Sequence, residues 1–333
     1  MRISSALTPR QRRALSFVCL LAPLLRHAPY SGWLSALLVL APLAALGWLL
    51  GQGPVRLPRA LAGAWGVWLV FYGGFVLRSG AERFVSAVYT DSPLWPFVLS
   101  AGALGLLAAA GRLRTLGRFA EVCTLPLLGV FALFLPLSLE TVDPAELWPL
   151  REEALRAAVT DAPRLFGALS AGFYPAFLPG PRADGGRGSG LALPFGGAAL
   201  LGALLGAATV GSFGSSLAGE MNYPFFVLLR NLRVFHLLDR AEALAIALWA
   251  VTDFVLLGTL LQLAAGLLSF ARGLAQTGRL APLLCAAAAV LLGFVCAPTS
   301  FALRRLSRTV IPRVHVLLLL TALPYAARNI RRR

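Results

Sequence analysis

The stretch GALSAGFYPAFLPG, residues 167–180, interrupts a long apolar segment of the chain. Three residues in it disfavour a continuous helix: Gly172, Pro175 and Pro179. The first apolar segment also carries two prolines near its end, Pro23 and Pro29. Interrupted helices at corresponding positions of two halves are typical of inverted-repeat transporters, although proline also kinks ordinary membrane helices. Unwound backbone at mid-membrane would offer N–H and C=O groups that can hold the ammonium and carboxylate of an amino acid.

The composition is that of a membrane protein. Of 333 residues, 58% are hydrophobic and 13% are charged, whereas soluble domains carry about 25% charged residues. The apolar runs reach the roughly 20 residues that a spanning helix needs, and they lack the alternation of a spanning β-barrel. We therefore predict an all-α polytopic membrane protein with a LeuT-like fold, about ten transmembrane helices in two inverted five-helix repeats. The predicted spans are residues 14–30, 32–51, 60–78, 93–111, 121–137, 163–180, 191–211, 241–270, 281–297 and 313–327.

The charges predict an orientation. The net charge of +16 arises from basic residues that flank the spans, which is typical of cytoplasmic loops and does not indicate a nucleic-acid partner. Ten spans put both termini on one side, and the arginines place the N- and C-termini in the cytoplasm. The single transmembrane domain, 1–333, divides into repeats 1–140 and 141–333, with an acidic loop at 138–162 on the outer side. Four arginines fall on that side against the rule: Arg304, Arg305, Arg308 and Arg313.

Several charged residues lie within an otherwise apolar segment, residues 221–254, whose sequence is MNYPFFVLLRNLRVFHLLDRAEALAIALWAVTDF. Pro224 begins a short amphipathic helix that we expect to lie at the membrane surface. Asp239 and Glu242 form a D-x-x-E capping box for the next helix. Asp253 lies deep in that helix, where an ionisable group needs a partner inside the bundle. It is either a proton- or ligand-linked site or an internal bond to a neighbouring helix.

A ligand site is predicted where spans one, three, six and eight meet. Its lining residues are Pro23, Phe71, Tyr72, Ser170, Gly172, Phe173, Tyr174, Pro175, Thr252 and Asp253. Gly172 would allow close backbone approach, while Phe173 and Tyr174 would wall the pocket. The histidines and cysteines are scattered without metal-ligand spacing, and no cofactor motif is present, so we predict neither a metal nor a cofactor.

Several segments, in order along the chain, resemble the GerAB-like spore germination permease family. They are LTPRQ (7–11), DSPLWPFVL (91–99), LGRFAEVCTLPLL (116–128), DPAELWPL (143–150), NYPFFVLLR (222–230) and DRAEALAIALWAVTDF (239–254). The family belongs to the amino acid–polyamine–organocation transporter superfamily. The resemblance implies the B subunit of a nutrient germinant receptor in the spore inner membrane, working with A and C subunits. The chain departs from the family pattern by lacking its Gly-Glu pair in span six and by having Leu256 where lysine is common.

Three functions follow as expectations. The first is a receptor subunit that binds a small nutrient, an amino acid, at mid-membrane and signals germination. The second is a proton-coupled amino-acid permease, which Asp253 favours. The third is a polytopic membrane enzyme, for which the acidic loop 140–161 is the candidate site; this segment has no catalytic motif, so we predict that the chain is not an enzyme.

Overall fold

The computed structural model describes residues 7–53, 55–87, 89, 91–148, 152–179, 190–221, 223–231, 241–274, 277–278 and 280–331. All regular elements of this part of the chain are helical. The α-helices are α1 (Pro9–Gly51), α2 (Arg59–Ala87), α3 (Trp95–Ala110), α4 (Leu113–Ser138), α5 (Pro144–Leu147), α6 (Glu152–Leu169), α7 (Ala192–Phe213), α8 (Ser215–Glu220), α9 (Pro224–Asn231), α10 (Ala241–Ala271), α11 (Leu280–Val295), α12 (Ser300–Arg305) and α13 (Ile311–Arg331). Short 3-10 helices cover Leu139–Thr141 and Ser170–Phe177, and a π-helical turn, Leu306–Val310, joins α12 to α13.

Helix α1 is a hairpin that turns at Gly32. This residue has φ 71° and ψ 167°, a conformation that is almost restricted to glycine. A Cβ on Gly47 would lie 2.7 Å from the carbonyl oxygen of Leu191, and a Cβ on Gly190 would lie 3.4 Å from Cδ of Arg13. Arg13 and Gly47 therefore lie at the same end of the bundle, and the chain reverses between them. The two predicted spans 14–30 and 32–51 are the two arms of this hairpin.

The remaining helices alternate in direction between two ends of the bundle. We call the end that holds Arg13 and Gly47 the proximal end and the other the distal end. Helix α2 runs from proximal to distal and packs antiparallel on α10, because a Cβ on Gly63 would lie 3.4 Å from Cβ of Ala271, and one on Gly80 would lie 3.2 Å from Oδ2 of Asp253. The first five long helical segments are the two arms of α1, then α2, α3 and α4. The first of them starts at the proximal end, and the last of them ends at the distal end. The second five, from α6 to α13, begin distally and finish proximally, so the two halves are inverted. The repeat boundary at residues 140 and 141 falls between α4 and α5 and stays a prediction.

Six helical segments are long and apolar enough to cross a membrane: Gly32–Gly51, Arg59–Ser86, Leu113–Thr141, Ala192–Phe213, Ile246–Ala271 and Ser300–Arg328. Two shorter apolar helices, Trp95–Ala110 and Leu280–Val295, correspond to two more of the ten predicted spans. The last two predicted spans correspond to the first arm of α1 and to α6. The first arm of α1 contains Arg26 and His27, and α6 begins with the acids Glu152 and Glu153.

The two predicted helix interruptions have different outcomes. The sixth span does change at the expected place, because α6 ends at Leu169 and a 3-10 helix with Pro175 inside it follows. The first span is not interrupted near Pro23, and that prediction was wrong. Gly32 is the residue of α1 with non-helical backbone angles. Proline is tolerated inside membrane helices whose neighbours pack closely, so Pro23 leaves the helical course intact.

The segment predicted as an acidic loop, residues 138–162, is largely helical. It contains a 3-10 turn, α5 and the first turns of α6, which starts at Glu152 and not at residue 163. Its acids serve local contacts: Asp143 caps α5, Glu152 pairs with Arg156, and Asp161 pairs with Arg164. These contacts account for three of the six acids of the segment.

The short helix predicted to begin at Pro224 is present as α9, with Phe225, Leu228 and Leu229 buried. Its continuation toward Phe235 and the Asp239 cap lie outside the described residues. Its location at a membrane surface stays a prediction.

Two of the four arginines that violate the charge rule, Arg304 and Arg308, have a structural explanation that the sequence did not provide. Arg304 Nη2 donates to the carbonyl oxygens of Glu220 at 2.9 Å and Met221 at 3.2 Å. Arg308 donates to the carbonyl oxygen of Gly219 at 3.4 Å. Positive charge at the C-terminal carbonyls of a helix is favourable. These arginines therefore complete the end of α8.

Candidate functional site

Asp253 is held between two arginines inside the bundle. Its carboxylate forms an ion pair with Arg83 of α2, and its other oxygen lies 3.8 Å from Nη2 of Arg26 in α1. The side chains of Arg83 and Arg26 are 4% and 7% exposed. Gly80 provides the space for this contact, because a Cβ there would lie 3.2 Å from Oδ2 of Asp253. We call Arg26, Arg83 and Asp253 the ion cluster; it ties α1, α2 and α10 together in the distal half.

Aromatic rings cover both guanidinium groups. Arg26 lies 5.1 Å from the ring centroid of Phe75, and Arg83 lies 5.4 Å from that of Trp249. Such contacts stabilise a cation more when it is desolvated. Phe75 also stacks on Tyr72, with 5.9 Å between ring centroids. Phe75 therefore joins the ion cluster to a second group of side chains deeper in the bundle.

That second group, the aromatic cluster, surrounds His315 of α13. It consists of Trp65, Trp68, Tyr72, Tyr174 and His315. The imidazole meets the ring of Tyr72 edge-on at 4.6 Å and that of Tyr174 at 5.6 Å. Trp68 meets it at 5.8 Å, and Trp65 contacts Tyr174 at 6.1 Å. Helices α2 and α13 and the 3-10 turn after α6 therefore converge on one buried histidine.

Three polar atoms of the aromatic cluster are available for hydrogen bonding. His315 Nδ1 lies 3.1 Å from the carbonyl oxygen of Gly167; a carbonyl only accepts, so Nδ1 carries the hydrogen and Nε2 of the neutral ring is an acceptor. Within the described chain, that Nε2 is buried without a hydrogen-bond partner. The Tyr174 hydroxyl and the Trp68 indole N–H are neighbours, yet they do not meet hydrogen-bond geometry. Buried polar atoms are normally satisfied, so these atoms mark a position where a ligand can bind.

The structure brings together some of the predicted site residues and separates others. Tyr72 and Tyr174 meet in the aromatic cluster, and Phe71 lies beside it against Trp68 at 5.3 Å. Asp253 belongs to the ion cluster, while the neighbouring Thr252 hydroxyl donates to the carbonyl oxygen of Trp249. The predicted set thus divides into two neighbouring groups.

The remaining predicted residues make packing contacts. A Cβ on Gly172 would overlap the side chain of Leu20 in α1, so this glycine permits close helix packing. Phe173 stacks on Phe195 of α7 at 4.5 Å. The Ser170 hydroxyl donates to the carbonyl oxygen of Phe166. Pro23 and Pro175 are buried.

The start of α1 closes the proximal end of the bundle region that contains the ion cluster and the aromatic cluster. Arg12, 1% exposed, donates from Nη2 to the carbonyl oxygen of Leu178 at 3.0 Å. The backbone N–H of Leu7 donates to the carbonyl oxygen of Pro179 at 3.1 Å. The start of α1 is therefore fixed to the end of the 3-10 turn after α6.

Sequence reasoning missed Arg26, Arg83 and His315. Arg26 lies inside the predicted first span, so it was a visible partner for an intramembrane acid. Arg83 was assigned to a loop because the third span was predicted to end at residue 78, whereas α2 continues to Ala87. His315 had no sequence signal beyond its position inside an apolar run.

Comparison with solved structures identifies the fold. The chain is similar to the structure of Mhp1, a nucleobase-cation-symport-1 family transporter, in a closed conformation with bromovinylhydantoin bound. The TM-score is 0.55 at 13% sequence identity, and the match covers 98% of this chain and 92% of that chain. No protein-family model and no curated protein sequence matches the chain. The chain is an integral membrane protein with the all-α LeuT-like fold found among membrane transporters.

Proposed function

We propose that this protein binds a small nutrient, an amino acid, inside the bundle and that it acts as the membrane subunit of a spore nutrient germinant receptor. The observation that carries the binding proposal is the pair of neighbouring clusters joined by Phe75. The aromatic cluster offers ring faces, a histidine acceptor and hydroxyl and indole groups. The ion cluster contributes two guanidinium groups and one carboxylate. Together they supply partners for the carboxylate, the ammonium and the apolar side chain of an amino acid.

The receptor role rests on the family resemblance and on the closed ends of this region. The ion cluster ties three helices together distally, and Arg12 fixes α1 proximally. A ligand that binds between these helices favours one arrangement of them, and a partner can detect that change. Interaction with A and C subunits in the spore inner membrane, with cytoplasmic termini, belongs to this proposal.

A proton-coupled permease is the second candidate. It is favoured by the likeness to a transporter over nearly the full chain, in a fold whose helices rearrange around a central site. Ligand binding is common to both candidates, so uptake distinguishes them. Purified protein in sealed vesicles should bind a labelled amino acid without accumulating it if it is a receptor. Accumulation driven by a proton gradient would refute the receptor role and support the permease.

Binding itself is tested by thermal unfolding of the purified protein with a panel of amino acids. A ligand present at 100 times its Kd stabilises the folded state by about 2.7 kcal/mol. Tyr174→Phe removes a hydroxyl that has no hydrogen-bond partner in the described chain, so the variant should unfold at the parent temperature without ligand. With the effective amino acid, its stabilisation should be much smaller. Equal stabilisation of variant and parent would exclude Tyr174 from the site.

The receptor assignment needs a test in the organism. Disruption of the gene should abolish germination with that amino acid while leaving a second, unrelated germination stimulus effective. Restoration by the parent gene, but not by one encoding Tyr174→Phe, would link binding to signalling. Normal germination of the disrupted strain with every nutrient of the panel would refute the role.

A further inference from the structure

Arg12 differs from the other buried arginines of the described chain in its ionic partners. Four arginines are buried there: Arg12, Arg26, Arg78 and Arg83. Arg26 and Arg83 both pair with Asp253, and Arg78 pairs with Glu82. None of the ion pairs among the described residues includes Arg12. Arg12 therefore holds a buried positive charge to which the described chain supplies no carboxylate.

The guanidinium group of Arg12 also has unused hydrogen-bond donors. Its Nη2 donates to the carbonyl oxygen of Leu178, whereas Nε and Nη1 are buried without a hydrogen-bond partner within the described chain. A guanidinium has five N–H donors in a planar fork, so Nη1 and the second hydrogen of Nη2 lie together at the end of that fork. A carboxylate binds this arrangement with two oxygens, and a single small anion can bridge it. Arg12 thus retains the donors that an anion needs.

Ser16 is a second buried polar residue on the same face of α1. Its side chain is 0% exposed, and its hydroxyl has no hydrogen-bond partner within the described chain. The buried hydroxyls of Thr209 and Thr259, in contrast, donate to the carbonyl oxygen four residues earlier in their helices. Residues four apart on a helix are neighbours, with about 5–6 Å between their Cβ atoms. Arg12 and Ser16 are therefore neighbouring residues that both retain buried donors.

The surroundings of Arg12 favour negative charge. Arg12 lies near the N-terminus of α1, the positive end of the helix dipole, and the first turn of α1 contains no acid. The start of α4 packs at the same place, because a Cβ on Gly117 would lie 2.8 Å from Cδ2 of Leu7 and 3.0 Å from Cβ of Gln11. Residues 112–121 of this segment include three arginines and one acid. Positive surroundings of this kind raise the local concentration of anions.

We propose that Arg12 binds a small monovalent anion, chloride or a carboxylate, at the proximal end of the bundle, with Ser16 as a second donor. The anion neutralises the guanidinium group while Nη2 keeps its hydrogen bond to Leu178. Because this bond joins α1 to the end of the 3-10 turn after α6, anion binding stabilises the closed proximal end, and anion loss favours its opening. The site shares no residue with the ion cluster or the aromatic cluster, so it does not depend on nutrient binding.

The first test is thermal unfolding of the full chain in a mild detergent, with sodium chloride or sodium acetate titrated into a low-salt buffer. Arg12→Gln is compared with Arg10→Gln, the matched control, because Arg10 is an exposed residue in the first turn of the same helix. Both substitutions remove one positive charge, so general effects of ionic strength on the two variants are alike. We expect chloride, acetate or both to raise the unfolding temperature of the parent and of Arg10→Gln along a saturating curve.

Arg12→Gln should lose this increase. An effect of chloride alone identifies a halide site, and an effect of acetate alone identifies a carboxylate site. Equal salt dependence of Arg12→Gln and Arg10→Gln would overturn the proposal. Arg12→Met covers the case in which Arg12→Gln does not fold, because replacing buried charge by an apolar side chain of similar volume is often neutral or stabilising. A saturating anion effect in Arg12→Met equal to that of the parent would also overturn the proposal.

The second test measures closure through Cys19, which is buried in α1 and contacts Thr259 of α10 at 3.5 Å. In chains that keep only this cysteine, a saturating concentration of the effective anion should slow maleimide labelling by about tenfold. Arg12→Gln should be labelled at a rate that does not depend on the anion. A parent rate that is the same with and without the anion would refute the closing role. Tyr174→Phe should leave both anion effects intact, so the anion site and the interior nutrient site can fail independently.

Discussion

Replacing Asp253 by asparagine tests whether the ion cluster holds the bundle together. The substitution keeps the size of the side chain and removes the negative charge between Arg83 and Arg26. Both guanidinium groups are almost fully buried, at 4% and 7% exposure. They cannot turn to water without moving α1 or α2. The variant therefore leaves two buried positive charges facing a neutral amide.

The expected cost follows from these contacts. Two unit charges 4 Å apart attract by about 4 kcal/mol at an effective dielectric constant of 20. Part of this attraction offsets the desolvation of the charges, but the desolvation cost of the arginines remains when the acid is removed. Removing one partner of a buried pair costs about 3–5 kcal/mol. We expect Asp253→Asn to lower the free energy of unfolding by that amount.

The assay is denaturation in a mild detergent, followed by tryptophan fluorescence and circular dichroism. Glu152→Gln is the control, because Glu152 and Arg156 form an ion pair that is 77% and 78% exposed, and such pairs contribute at most about 1 kcal/mol. The double variant Arg83→Gln/Asp253→Asn should cost less than the sum of the single variants. A loss below about 1 kcal/mol for Asp253→Asn, or strictly additive costs, would refute a stabilising role for the cluster.

Two further variants test the packing and closure of α1. Gly172→Ala should lower the free energy of unfolding by about 1–3 kcal/mol because its methyl group would overlap the side chain of Leu20. The control Gly129→Ala should be neutral or stabilising, since a Cβ at that position has nothing within 4 Å. Equal shifts of the unfolding temperature in the two variants would contradict the packing role of Gly172. Arg12→Gln should speed maleimide labelling of the buried Cys19 by about tenfold in chains that keep only this cysteine, and an unchanged rate would show that Arg12 does not close the proximal end.

Most of the architecture was predictable because hydropathy and helix-breaking residues act locally. A run of apolar residues defines a span, and Gly172 with Pro175 marks the change from α6 to a 3-10 turn. Both signals can be recognised without knowing which other helices lie nearby. Pro23 was misjudged by the same reasoning. Whether a proline interrupts a membrane helix depends on the neighbouring helices that pack against it, and the local sequence does not show which helices those are.

The candidate site was less predictable because its partners are distant in the sequence. Asp253 was recognisable as an acid inside an apolar run. Arg83, in contrast, resembled an ordinary charged residue of a loop after the end of a span. Its burial follows from an ion pair with a residue 170 positions later. Gly172 and Phe173 were placed in the pocket from their position beside the break. In the structure Gly172 packs closely against Leu20 of α1, and Phe173 stacks on Phe195 of α7; their place in a ligand site stays a prediction.

The turn at Gly32 has a consequence for how the protein enters its membrane. The arm before it contains Arg26 and His27, and it is not among the segments apolar enough to cross by themselves, whereas the arm Gly32–Gly51 has a mean hydropathy of 2.1. No loop separates the arms, so neither can be released from the insertion machinery far from the other. We therefore expect the second arm to carry the first into the bilayer, so that the two arms insert as a pair. The contact between Arg26 and Asp253 can form only after α10 emerges, more than 200 residues later, so a delay in α10 should expose the hairpin to quality-control proteases.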